Sequence, residues 1–114
     1  MSIRKSVIKI KGRPASPGVG IGKVKIVSTL QDFRSFESGD ILVTEMTHPN
    51  MVIIMLKAAA IVTDIGGLTC HAAILSRELG IPCVVATKLA TKLLKTGMVV
   101  EVNGTTGEIH QIIL

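Results

Sequence analysis

The sequence contains no tryptophan and no tyrosine, and its only phenylalanines are Phe33 and Phe36. Proteins that hold single-stranded nucleic acid stack its bases on aromatic side chains, so a nucleic-acid partner is not expected. Cysteine is almost as scarce. Cys70 and Cys83 are the only two, in a chain with no sign of export, which argues for reduced thiols rather than a disulfide framework. The possible zinc ligands Cys70, His71, Cys83, His48 and His110 show neither paired C-x-x-C nor H-x-x-x-H spacing, so no metal is expected on this domain. Long apolar runs are missing too. The longest, residues 51–62, is interrupted by Lys57 and falls well short of the roughly 20 residues that cross a bilayer. The opening MSIRKSVIKIKG alternates charge with aliphatics and lacks a signal peptide's apolar segment and cleavage site. The expectation is a cytoplasmic chain with no membrane partner.

What is present describes a globular protein. Hydrophobic residues make up 47% and charged ones 18%, enough apolar surface for a real core. With 114 residues the chain fits one domain over residues 1–114 and has no room for a second elaborate module. The net charge of +5 comes largely from Arg4, Lys5, Lys9, Lys11 and Arg13, with a second group at Lys88, Lys92 and Lys95. Such a balance favours anionic partners, although most of these lysines fit solvated strand and helix faces.

Periodicity divides the chain. Residues 6–11 alternate, with Ile8 and Ile10 on one side and Lys9 and Lys11 on the other, as in a strand with one wet face. Residues 12–22 read as turns, residues 23–27 and 41–44 as strands, and residues 30–38 as a loop. His48-Pro49-Asn50 breaks the chain before a helix over residues 51–60, with Asn50 placed to cap it. Residues 61–63 form a short buried strand that runs into Asp64-Ile65-Gly66-Gly67, a turn whose glycines permit unusual backbone angles. From residue 70 to 79 the apolar positions Ala72, Leu75 and Leu79 recur at helical spacing. Gly80 and Pro82 supply the stop. A strand at residues 84–85, a short helix over residues 88–95 and a hairpin of residues 98–102 with 108–113 complete the order.

The glycine-rich segment SPGVGIGKV is not a nucleotide loop. Pro17 stands where a Walker A loop needs its first glycine and Val24 where it needs Ser or Thr, while Lys23 occupies a glycine position of a dinucleotide fingerprint. Turns between strands account for it better.

The segment GGLTCHAAILSRELGIP is more informative. Thr69 is a natural N-cap, which puts His71 in the first turn of the helix, where backbone N–H groups have no partner within the helix. Those donors and the helix dipole form a ready anion site. The same positive pole opposes protonation of an imidazole and keeps a ring lone pair available, so His71 can act as a nucleophile toward phosphorus. The resulting phosphohistidine would face the open amides of its own turn. Gly66 and Gly67 would let the backbone approach the phosphate, and Arg77 could help neutralise it. Two alternatives stay open at this point: a polar histidine near the surface, and a reactive Cys70 with a thiol activated at the helix start.

The run IVTDIGGLTCHAAILSRELGIPCVV resembles the phosphohistidine, or mobile, domain of phosphoenolpyruvate-utilising enzymes such as phosphoenolpyruvate synthase and pyruvate phosphate dikinase. Their signature reads Gly-Gly-x-Thr-(Ser or Cys)-His-Ala-Ala and continues through Arg-Glu-Leu-Gly-Ile-Pro. GRPASPGVGIGKV, GDILVTEMTHP and NGTTGEI resemble further parts of the family, so the likeness covers nearly the whole chain. It implies an α/β fold of the swivelling three-layer β/β/α type, with His71 phosphorylated on its ε nitrogen. Thr69 matches a threonine that is a regulatory phosphorylation target in some relatives, and Cys70 stands beside it in the motif. Departures from the family pattern are Ser76, where alanine is usual, Ala86, where glycine often ends the strand, and Asn103, where aspartate is frequent. Relatives also carry an ATP-grasp domain and a phosphoenolpyruvate-binding barrel. The resemblance therefore implies separate nucleotide-binding and phosphoenolpyruvate/pyruvate-binding partner chains, with ATP and Mg bound there and no cofactor here. A non-catalytic module that keeps the fold and binds an anion or a protein is the alternative, and a fragment of a longer enzyme is a third.

Overall fold

The fold was analysed in a computed structural model that describes residues 4–113. Residues 1–3 and 114, and the side chains of residues 4–8, Ile8 among them, lie outside the described residues. Eight strands are present among the described residues: β1 Arg4–Lys11, β2 Arg13–Ser16, β3 Val19–Ile26, β4 Ile41–Thr44, β5 Ala60–Thr63, β6 Cys83–Val85, β7 Val99–Asn103 and β8 Glu108–Ile113. Four helices accompany them: α1 Leu30–Arg34, α2 Val52–Met55, α3 His71–Leu79 and α4 Ala90–Leu93, with a single 3₁₀ turn Pro49–Met51 before α2.

The strand order is β1-β8-β7-β3-β4-β5-β6-β2. The central run β3, β4, β5 and β6 is parallel, whereas β1, β8, β7 and β2 pair antiparallel to their neighbours. Only Gly12 separates β1 from β2, although the two stand at opposite ends of that order. The sheet must therefore fold back on itself until its ends meet. Gly12 N–H donates to the Gly107 carbonyl at 2.9 Å, which ties this corner to the β7–β8 turn.

The side-chain alternation of the parallel strands then defines two cores. Ile41 and Val43 of β4, Ala60 and Val62 of β5 and Val84 of β6 pack with Ile10, Val100, Val102 and Ile109 of the folded-back half. Leu42, Ile61, Cys83 and Val85 point the other way, against Ile54 and Met55 of α2 and Ala72 and Ala73 of α3. Sheet, sheet and helices thus form three layers, the β/β/α architecture expected. Ile41, Leu42, Val43, Ile61, Val62, Val84 and Val85 are fully buried, and each contributes about 1.5–3 kcal/mol by leaving water.

Several sequence expectations need correction. Residues 12–22 are not all turns, because they contain β2 and the first half of β3. Gly20 and Gly22 lie inside β3, where an added Cβ would land on the carbonyls of Ala59 and Gly39; they are there for close packing, while Gly18, with φ +113°, is the turn residue. The interval 30–38 contains α1, held by a capping box in which Asp32 N–H donates to Thr29 Oγ1 and Thr29 N–H to Asp32 Oδ2. The helix expected over residues 51–60 is only the 3₁₀ turn and α2, since Ala60 joins β5, and Asn50 does not cap it: His48 occupies the cap position and makes no side-chain capping bond. Helix α3 starts at His71 with Cys70, not Thr69, as N-cap.

Candidate functional site

The parallel strands end on one edge of the sheet, and the loops that follow β4 and β5 meet there. Two backbone bonds join these loops beyond the strands, Asp64 N–H to the Thr44 carbonyl (3.1 Å) and Ile65 N–H to the Glu45 carbonyl (3.0 Å). The β5 loop turns at Gly66, where φ is +133° and an added Cβ would stand 2.9 Å from Cys70 Sγ. Glycine is needed at that point for both backbone angle and space. Gly67 has open space around its Cα, and Thr69 is exposed. Cys70 is half-buried, packs against Gly66 and makes no side-chain capping bond.

His71 is the first residue of α3. The first bond of the helical ladder is Ile74 N–H to the Cys70 carbonyl at 3.0 Å, so the amides of His71, Ala72 and Ala73 have no acceptor within the helix. The imidazole is half-buried, and its Nδ1 lies 2.7 Å from Thr47 Oγ1. Thr47 sits on the β4 loop and is 5% exposed. Sequence reasoning missed it, because 24 residues separate the partners and no local pattern links them. The bond holds one ring nitrogen and leaves Nε2 without a hydrogen bond among the described residues. The roles in this contact depend on the tautomer: if Nδ1–H donates to Thr47 Oγ1, Nε2 carries the lone pair, and if the Thr47 hydroxyl donates to Nδ1, Nε2 carries the proton.

A cavity of about 110 Å³ opens beside the ring, with Met46, Thr47, Ile65, Gly66 and Cys70 in its walls. Arg77 is not at this cavity. Its guanidinium bridges two carbonyls instead, Ala15 of β2 at 2.9 Å and Leu68 at 2.7 Å, so it clips the loop before α3 to the edge strand. Cys83, the other thiol, is buried beneath α3, and burial pushes its pKa up to about 11. No group of three or more His, Cys, Asp or Glu side chains capable of holding a metal occurs among the described residues, and no helix among them is long and apolar enough to cross a membrane.

Comparison with known proteins identifies the family. A probable phosphoenolpyruvate synthase of Archaeoglobus fulgidus is 59% identical over 104 residues, covering 91% of this chain and 14% of its own. The phosphoenolpyruvate synthase of Pyrococcus furiosus is 55% identical over 109 residues, 96% of this chain and 13% of that protein. The chain thus spans about one-seventh of the length of these relatives. The solved N-terminal domain of Enzyme 1 - Nitrogen superposes with a TM-score of 0.73 over 90% of this chain and 93% of that one; at 14% identity this likeness concerns the fold. The family model described as PEP-utilising enzyme, mobile domain, matches residues 36–107, a span that contains Thr47, the glycine turn and all of α3, and the chain belongs to that family.

Proposed function

We propose that the chain is a phosphoryl carrier in which His71 Nε2 accepts a phosphoryl group at one partner site and surrenders it at another. The observation that carries this reading is the 2.7 Å contact of His71 Nδ1 with Thr47 Oγ1 at the start of α3, a helix end with no side-chain cap. In the first half-reaction the Nε2 lone pair attacks phosphorus in line. The P–N bond forms as the P–O bond to the leaving group breaks, and the leaving oxygen keeps the electron pair. Positive charge develops on the ring and is shared by the Nδ1–H bond to Thr47, which becomes charge-assisted and stronger as the reaction advances. In the second half-reaction an acceptor oxygen attacks phosphorus, and the P–N electrons return to Nε2.

The partners are nucleotide-binding and phosphoenolpyruvate- or pyruvate-binding domains, with ATP and Mg bound there. Two features support partner dependence. The cavity beside His71, about 110 Å³, lies below the roughly 300 Å³ from which small-molecule pockets start. Arg77 is committed to the Ala15 and Leu68 carbonyls, so cationic compensation for the phosphoryl oxygens is assigned to the partner. Thr69, exposed two residues before His71, is the proposed position for regulatory modification, and the cytoplasm the proposed location.

The test is label transfer. The chain is incubated with isotopically labelled phosphoenolpyruvate and the phosphoenolpyruvate-binding domain of a related synthase, then analysed for acid-labile, base-stable phosphate. His71→Ala abolishes the label if the reading is right. A label that persists in His71→Ala, or one never acquired by the parent chain from either phosphoenolpyruvate or ATP with the matching partner domain, overturns it.

A further inference from the structure

Asp64 follows β5 directly, is 8% exposed and takes no part in the cavity beside His71. Its carboxylate nevertheless gathers two donors, Thr91 N–H at 3.0 Å on Oδ1 and Thr91 Oγ1 on Oδ2, with the Thr87 hydroxyl oxygen 3.5 Å from Oδ1. The surrounding backbone is bound to the same turn. Lys88 N–H donates to the Asp64 carbonyl at 2.9 Å, while Thr87 donates to the Thr63 carbonyl through N–H (3.2 Å) and Oγ1 (3.0 Å). That turn holds Ala86 at φ 58° and Lys88 at φ 71°, both non-glycine residues in a left-handed conformation that persists only where neighbours over-determine it.

We propose that Asp64 is a positioning residue for His71, acting by pinning the end of β5 to the Thr87–Thr91 turn so that Thr47 stays within hydrogen-bonding reach of the ring. The route is short. Asp64 N–H and Ile65 N–H hold the carbonyls of Thr44 and Glu45, two or three residues before Thr47, while Ile65 and Gly66 lead to the Cys70–His71 helix start. The two loops that carry the Thr47–His71 pair are therefore zipped together at Asp64. Alanine at this position removes the acceptor of both Thr91 bonds and leaves the Thr91 N–H and hydroxyl without it. Asparagine can keep both contacts, its oxygen accepting from the Thr91 N–H and its N–H donating to the Thr91 hydroxyl, so alanine is the disruptive change.

The inference rests on His71 as the phosphoryl acceptor, but its test does not. The tautomer of His71 is read by ¹⁵N NMR on the unphosphorylated chain at alkaline pH, for the parent, Asp64→Ala, Thr91→Val and, as a control in the core between the sheets, Ile109→Val. The parent is expected to hold the Nδ1–H tautomer. Asp64→Ala shifts the tautomer ratio toward Nε2–H by about tenfold, the equivalent of one net hydrogen bond, while Ile109→Val leaves it unchanged. Should Asp64→Ala fail to fold, Thr91→Val decides, because it removes a single hydroxyl and keeps the Thr91 N–H bond. A ratio unaltered in the folded variant, or one that moves equally in Ile109→Val, overturns the proposal. A parent chain already in the Nε2–H form overturns the nucleophile geometry itself, and failure of the label transfer leaves this result standing.

Discussion

Ser76 offers a test of the packing beneath the site. It lies within α3 at 0% exposure, and its Oγ has no hydrogen-bond partner. The Cys83 thiol is one polar neighbour. Ser76 leans toward it closely enough to ease that thiol's ionisation slightly, against the larger opposite effect of burial, but the pair lacks hydrogen-bonding geometry. Replacing Ser76 with alanine removes an unpaired buried hydroxyl that costs about 1–3 kcal/mol. It also gains about 0.5 kcal/mol of helix propensity. Against these stand the oxygen's lost dispersion contacts, about 0.5 kcal/mol. The net expectation is stabilisation by about 1–3 kcal/mol, which for a domain of this size raises Tm by about 4–12 °C. Urea and thermal unfolding followed by circular dichroism measure it. A Tm that is unchanged or lower in Ser76→Ala would refute the reasoning, since it would mean that the hydroxyl is satisfied in the folded protein.

Thr47→Val keeps the shape of the side chain and deletes the bond to Nδ1; loss of a charge-assisted bond worth about 1.5–3 kcal/mol slows phosphorylation of His71 roughly 10- to 100-fold in rapid-quench assays, with partner affinity unchanged. Lys88→Gly relieves a left-handed residue with φ 71°; relief of about 1–2 kcal/mol, less about 0.4–1 kcal/mol of unfolded-chain entropy, leaves a gain of about 0.5–1 kcal/mol in urea melts. Backbone bonds from Ser28 and Thr29 hold the Asp32 carboxyl below its ordinary value of 3.8, so the stabilisation it gives α1 is present above that value and lost as pH falls below it. Asp32→Ala should therefore destabilise at pH 7 by about 0.5–2 kcal/mol and by progressively less in acid melts below pH 3.8. For Cys83 the sign is opposite: with a thiol pKa raised from 9.0 to about 11, the unfolded chain loses its proton first. Stability then falls as pH rises from 9 toward 11, and Cys83→Ala flattens that decline in alkaline melts.

The helix that carries His71 was legible because its signals are local. Apolar spacing marks the face of α3, Gly80 takes φ 70° at its end, and the motif around the histidine is contiguous. The β7–β8 hairpin was legible for the same reason. The parts that were not legible depend on contacts distant in sequence. Gly20 and Gly22 look like turn residues until Ala59 and Gly39 are seen against them. Arg77 looks available to a phosphate until its partners prove to be Ala15 and Leu68, 62 and 9 residues away. Thr47 and Asp64 carry no sequence pattern of their own, and only the meeting of the β4 and β5 loops gives them a place at the site. Helix α1 is the exception: Thr29 and Asp32 are a capping pair within four residues, and the signal was present in the sequence.

The most direct measurement is the position of phosphorus on the phosphorylated chain, read through ¹⁵N–³¹P coupling in uniformly ¹⁵N-labelled protein. A single P–N bond at Nε2 of His71, with Nδ1 still protonated toward Thr47, is the predicted result. Phosphorus on Nδ1, or on the oxygen of Thr69 or the sulfur of Cys70, would contradict it.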